Sequence, residues 1–263
     1  MSRPLDINPR SAPSSLAFDG RGHEYAIDVG QGADRALARA WLGLGLFALV
    51  GSGVFSILLV LSRAPFINQL LPVPSFFRVA LVAHVDLSVL VWFAAMAAML
   101  WSLIATPRAE SWSWVALGLC GGGTLLMSLG AFVSPGTPVM ANYIPVLEGP
   151  LFMAGLVAFA AGFALQVLRA LWAAPRQTGP FGGADALRFG LSAAAVSAAV
   201  ALLAFAWSLA VVPRALDGKA YYEILFWGGG HALQFTWTLL MLVGWLWLAN
   251  ACGARLRLSP RVT

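Results

Sequence analysis

Charged side chains are what this sequence has least of. Only 10% of its 263 residues are Asp, Glu, Lys or Arg, against 60% that are hydrophobic, and the mean hydropathy is +0.80. That balance excludes an ordinary soluble globule and describes a polytopic membrane protein. Residues 40–62, 79–107, 111–147, 149–168, 189–213 and 224–254 hold no Lys, Arg or Glu, and Asp86 is the single Asp among them. Each run can supply the ~20 apolar residues that cross a bilayer as a helix. The sequence therefore predicts an all-α transmembrane bundle of about six spans, near 40–62, 76–104, 112–133, 149–172, 188–212 and 222–249.

Other absences narrow the organisation. The two cysteines, Cys120 and Cys252, fall on different spans and offer neither metal-site spacing nor a disulfide framework. The first 39 residues carry five basic and five acidic side chains and lack the apolar core of a signal peptide. No soluble domain, internal repeat or dividing linker is present. Three parts follow: a mobile cytoplasmic tail over 1–39, the six-helix region over 40–252, and a basic end over 253–263, cytoplasmic or the start of an interhelix loop. One side of the membrane collects Arg3, Arg10, Arg21, Arg35, Arg39, Arg108, Arg169, Arg176, Arg188, Arg255, Arg257 and Arg261; the other has only Arg63, Arg78, Arg214 and Lys219. Twelve against four puts both termini in the cytoplasm. The basic isoelectric point is then a topology signal, with no nucleic acid implied.

Against so apolar a background the few polar residues inside the spans stand out. An ionised Asp at mid-helix is unfavourable by roughly 2.5 to 3.5 kcal/mol, so buried polar groups face protein, a cavity or a ligand. "RVALVAHVDLSVLVWFAAM" carries both His84 and Asp86. His231 lies on the sixth span, and both even-numbered spans run inward, which predicts two imidazoles at one depth, ~12–14 Å below the outer face. Histidines inside a bundle can anchor haem, copper or non-haem iron. "FWGGGHALQF" adds three glycines just before His231, allowing close approach of a backbone or a flat macrocycle at about 1 kcal/mol each in helix propensity. The competing account is helix packing by Gly228–Gly230, with each histidine hydrogen-bonded to a neighbouring helix. His23, in the polar tail, reads as a solvated side chain.

"AHVDLSVLVW" resembles the second-helix segment of haem-copper oxidase subunit I, and "LFWGGGHALQF" its sixth-helix segment. "PVMANYIPVLEGPLFMAGLVAF" is similar to that family's outer loop before helix four. The resemblance covers nearly all of residues 38–252, in order. It implies that His84 is an axial ligand of a low-spin haem and His231 a copper ligand. It also implies b-type haem as cofactor, a bacterial inner membrane, a cytochrome c-like electron donor, other oxidase subunits as partners, and oxygen as substrate. Departures accompany it. The positions two and four residues after His231 are Leu233 and Phe235, where many members have glutamate and tyrosine, which points to a divergent cbb-type relative. The family's subunit has about twelve helices, so this chain resembles its N-terminal half and lacks the remaining histidines. Nitric oxide reductase is the alternative within the superfamily. A non-catalytic haem-holding, assembly or carrier protein is the alternative outside it.

The remaining polar side chains have two readings each. Asp86 lies ~200° around the helix from His84 and is either proton-handling or protonated and hydrogen-bonded. Ser88 shares the face of His84 and either touches haem or bonds back to its own helix. Gln234 and Thr238 share the face of His231 and either orient it or bond another helix. Should those two histidines prove insufficient, Tyr143 and Glu148 are the next residues to consider. Tryptophans near span ends, including Trp41, Trp112, Trp114, Trp172 and Trp247, read as an interfacial belt.

Overall fold

The computed structural model describes residues 18–29, 33–65, 76–106, 108–176 and 180–261. Six helices are long and apolar enough to cross a membrane: α1 (Ala33–Leu61), α2 (Phe76–Ile104), α3 (Glu110–Val133), α4 (Pro150–Trp172), α5 (Gly183–Val211) and α6 (Gly218–Ala251). The chain is an all-α polytopic membrane helix bundle, as its composition predicts. Four short strands accompany the helices: β1 (Phe18–His23), β2 (Pro138–Val139), β3 (Val146–Leu147) and β4 (Leu256–Leu258).

The charge-free runs locate the spans to within a few residues at most ends, and the larger differences lie at helix starts. Helix α1 begins at Ala33, not near 40, because Leu37 and Ala38 are already buried and Arg35 Nη2 donates to Val29 O at 2.9 Å. Helix α5 begins at Gly183, where Asp185 Oδ2 accepts from the Gly182 N–H at 3.0 Å. Helix α6 begins at Gly218, with the Tyr221 N–H donating to Asp217 O at 2.8 Å. A lack of charge marks the part of a helix that lies in lipid; caps and polar first turns extend beyond it.

Helices pack in consecutive pairs, α1 with α2, α3 with α4 and α5 with α6, and the pairs join mainly through α2 and α4. Glycines set the closest pair. A Cβ at Gly123 would lie 2.6 Å from Gly155 O, and one at Gly155 would lie 2.7 Å from Gly123 O; one helical repeat on, Gly130 meets Phe152 N at 2.9 Å and Gly162 meets Ala116 O at 2.7 Å. Small residues at such a seam let membrane helices gain van der Waals contact that lipid cannot supply. A buried polar chain crosses four helices: Trp41 Nε1–H donates to Ser113 Oγ at 3.4 Å, Ser113 Oγ–H to Gln166 Oε1, and Gln166 Nε2–H to Ala98 O at 3.4 Å. Trp41 is therefore a core residue and not part of an interfacial belt.

Residues 18–29 also depart from expectation. Strand β1 pairs antiparallel with β4, Phe18 opposite Leu258 and His23 opposite Leu256. Tyr25 is fully buried; its N–H donates to Asn250 Oδ1 at 3.0 Å and its hydroxyl to Leu258 O at 2.7 Å. This part of the expected tail is held against the end of α6, because a buried aromatic ring and three strand residues give its backbone partners. Residues 1–17 of that tail lie outside the described residues. Both ends of the described chain thus meet at one end of the bundle, and the β2–β3 loop lies at the other.

Candidate functional site

His84 sits on α2 where it faces α1. Its Nδ1 is 3.0 Å from Ser52 O and 2.9 Å from Ser52 Oγ, and Ser52 Oγ–H donates to His84 O at 3.1 Å. A main-chain carbonyl only accepts, so Nδ1 carries the proton and Nε2 holds the lone pair. No hydrogen bond to Nε2 is made among the described residues, and the ring is half-buried. Ser88 Oγ–H donates to His84 O at 2.7 Å, so Ser88 bonds back to its own helix. Immediately after His84, residues Asp86–Val91 wind as a π turn, a wide turn frequent at functional sites. Asp86 is buried within it, and neither carboxylate oxygen has a hydrogen-bond partner among the described residues. The hydrogen-bonded reading of Asp86 is therefore not what the structure shows.

His231 is held differently. Its Nδ1–H donates to Trp227 O at 2.8 Å, one turn back on α6. The Tyr143 hydroxyl, from the β2–β3 loop, lies 3.0 Å from Nε2 and 2.8 Å from Nδ1. With Nδ1–H committed to Trp227 O, Tyr143 donates to Nε2. The imidazole lies between two rings, its centroid 4.3 Å from Trp227 and 4.9 Å from Tyr143. The glycine triplet makes this possible: a Cβ at Gly230 would fall 2.2 Å from Tyr143 Cγ, and one at Gly229 2.4 Å from the Phe205 ring, whereas Gly228 meets only Ala204, at 3.8 Å. Two of the three glycines admit aromatic side chains of the protein itself.

Gln234 and Thr238 are exposed on α6 and do not bond His231; Thr238 Oγ1–H donates to Gln234 O at 2.8 Å. Tyr143 joins His231, while Glu148 is exposed at the end of the loop, its N–H on Thr137 O. His84 is eight residues from the start of α2 and His231 thirteen from the start of α6, whose first turns carry Lys219 and Glu223. Among the described residues no three His, Cys, Asp or Glu side chains group to hold a metal ion. Sequence reasoning missed Ser52, although "GSG" in an apolar span is a visible polar interruption. It also missed an apolar groove of about 460 Å³ between α2 and α6, lined by residues including Trp92, Phe93, Met96, Trp237, Met241 and Trp247. Phe93 stacks on Trp237 across it at 5.5 Å.

No known family's model and no solved structure matches the chain. An uncharacterized protein of Rickettsia prowazekii is 26% identical over 253 residues, covering 84% of this chain and 48% of that protein. An uncharacterized protein of Aquifex aeolicus is 29% identical over 208 residues, covering 79% and 52%. The chain thus spans about half the length of the curated relatives it matches.

Proposed function

We propose that the chain is part of a membrane redox subunit of the haem-copper oxidase type, in which His84 Nε2 is an axial ligand of a low-spin haem. The observation that carries this reading is the state of His84: an imidazole inside a membrane bundle, its Nδ1–H fixed by Ser52 and its Nε2 lone pair uncommitted. Metal-bound imidazoles characteristically donate their other N–H to a carbonyl in this way. The donor chemistry fits haem. Bound there, haem would supply one-electron transfer between an external donor and the site of oxygen reduction. The chain's own part is to present Nε2 and to hold the ring through α1.

Copper fits less well. Both ring nitrogens of His231 are engaged, and the described residues bring no second ligand to it, whereas copper needs several. A copper role for His231 therefore requires Tyr143 to release Nε2 and further ligands to come from outside this chain. The relatives' double length is consistent with such a complement. The exposed polar side chains of Gln234 and Thr238 suit a protein neighbour better than lipid. The same engagement of His231 favours a second reading, a haem-holding membrane protein without a copper centre. The proposed setting is a bacterial inner membrane with both termini cytoplasmic, a cytochrome c-like donor and further oxidase subunits.

The test is a reduced-minus-oxidised spectrum of the protein purified with its native partners. Sharp low-spin haem b bands are expected, and His84→Ala should remove them while the protein stays inserted. Unchanged bands in that variant would refute the assignment. Copper content with and without His231→Ala separates the two readings.

A further inference from the structure

We infer that Ser52 is the positioning residue that sets the tautomer of His84 and so designates Nε2 as its ligand atom. The inference rests on the reading of His84 as a haem ligand, and Ser52 belongs to a different helix, 32 residues away in sequence.

The hydrogen-bond accounting admits one arrangement. Ser52 is 3% exposed, so water does not complete its bonding. Its hydroxyl has one proton, and His84 O, at 3.1 Å, takes it, because the Nδ1 proton is already directed at Ser52 O. The hydroxyl oxygen is then left to accept, and Nδ1 stands 2.9 Å from it. The main-chain oxygen of the same residue is 3.0 Å from Nδ1 and can only accept. Nδ1 thus faces two acceptors and must be the protonated nitrogen. A closed cycle results, from Nδ1–H to Ser52 Oγ to His84 O, which fixes both the tautomer and the plane of the ring. Ser88 Oγ, 2.7 Å from the same carbonyl, holds the other end of the cycle in place.

Local sequence brings Ser52 close enough. An α1 carbonyl can receive a bond from an α2 side chain only where the helices approach closely, and glycine permits that approach. A Cβ at Gly51 would stand 3.2 Å from Leu87 Cδ1, and one at Gly45 3.0 Å from Trp92 Cε3. The π turn that starts at Asp86 follows directly, so the ring is fixed at the point where the helix widens. A donated Nδ1–H also raises the basicity of Nε2, so Ser52 tunes the ligand as well as aiming it.

Two measurements test the inference. In the full chain labelled with 15N-histidine and reconstituted in lipid bilayers, with the His84 signals assigned by their loss in His84→Gln, Nδ1 should be protonated and Nε2 bare. Ser52→Ala removes the hydroxyl acceptor but keeps the main-chain oxygen 3.0 Å from Nδ1, so it should move the two nitrogen shifts part of the way toward each other, and Ser52→Thr, which keeps a hydroxyl, should restore them. In the assembled haem-bearing protein, Ser52→Ala should raise the midpoint potential of the low-spin haem, and Ser52→Thr should return it. A protonated Nε2 in the unsubstituted protein, or nitrogen shifts unchanged by Ser52→Ala, overturns the inference. If the unsubstituted protein carries no haem, the redox reading fails by itself, and the nitrogen shifts alone then decide the role of Ser52.

Discussion

A single methyl group at position 230 would land 2.2 Å from Cγ of Tyr143, closer than real Cβ contacts come. Gly230→Ala is therefore expected to drive Tyr143 off His231 and to destabilise the protein by about 1–3 kcal/mol through overpacking. Gly228→Ala, with only Ala204 at 3.8 Å, should stay within about 0.5 kcal/mol of the parent. Unfolding in mixed micelles checks both, and equal behaviour of the two variants would contradict the close contact. Tyr143→Phe removes only the hydroxyl and should cost about 0.5–1.5 kcal/mol. At this scale the sequence shows which side chains are unusual, and the bonds that stay within one turn, Ser88 to His84 O and Thr238 to Gln234 O, follow from helical spacing. The pairs that define the histidines do not: Ser52–His84 and Tyr143–His231 span 32 and 88 residues, and no local pattern encodes them.

Among the elements, the seam between α3 and α4 makes the sharpest distinction. "CGGG" holds three consecutive glycines, yet Gly121 and Gly122 have nothing within 4 Å of an added Cβ while Gly123 faces Gly155 O at 2.6 Å. Gly123→Leu should separate the helices and lose folded protein, whereas Gly122→Leu should fold normally; comparing their unfolding midpoints with the parent reads the effect. Equal midpoints for the two leucine variants would mean that the seam does not set the packing. The polar chain through Gln166 gives a second expectation. Gln166→Leu leaves the buried Ser113 hydroxyl without its acceptor, a loss of about 1–3 kcal/mol, measurable in the same assay. The spans themselves were readable from their lack of charge. Which face of each helix meets its neighbour was not, because in an almost uniformly apolar helix hydrophobicity marks no side, and small residues do so only in the presence of the partner.

Over the whole molecule, the antiparallel pair β1–β4 ties residues 18–23 to 256–258. His23→Cys with Leu256→Cys should cross-link under mild oxidation, since directly opposed strand residues lie ~4.5–5.5 Å apart; absence of the cross-link in folded protein would break the pairing. Cys252 and Asn142→Cys should react with impermeant thiol reagents from opposite faces of a sealed vesicle, both being exposed. These 263 residues expressed alone should insert as six helices, since each helix satisfies its own backbone bonds. They should nevertheless show neither oxygen uptake nor a normal six-coordinate haem spectrum, because among the described residues only one uncommitted imidazole nitrogen is found inside the bundle. Oxygen uptake by the isolated chain would require ligands that the present site does not contain.

The placement of charge along the sequence determined that the chain is a helical membrane protein, with six spans among the described residues, because the cost of burying charge and unpaired backbone in lipid leaves few other solutions for so apolar a chain. It also singled out His84, Asp86 and His231 as polar groups in need of an explanation. Only the tertiary structure decided which explanation applies. Among the described residues it bonds His84 to Ser52 and leaves Nε2 uncommitted, closes His231 with Trp227 and Tyr143, and leaves Asp86 without a hydrogen-bond partner. The physical reason is that a side chain's chemistry inside a membrane is set by the two or three atoms it touches. In this bundle those atoms come from helices and a loop far apart in the chain, brought together by glycines whose role appears only when the neighbouring backbone is in place.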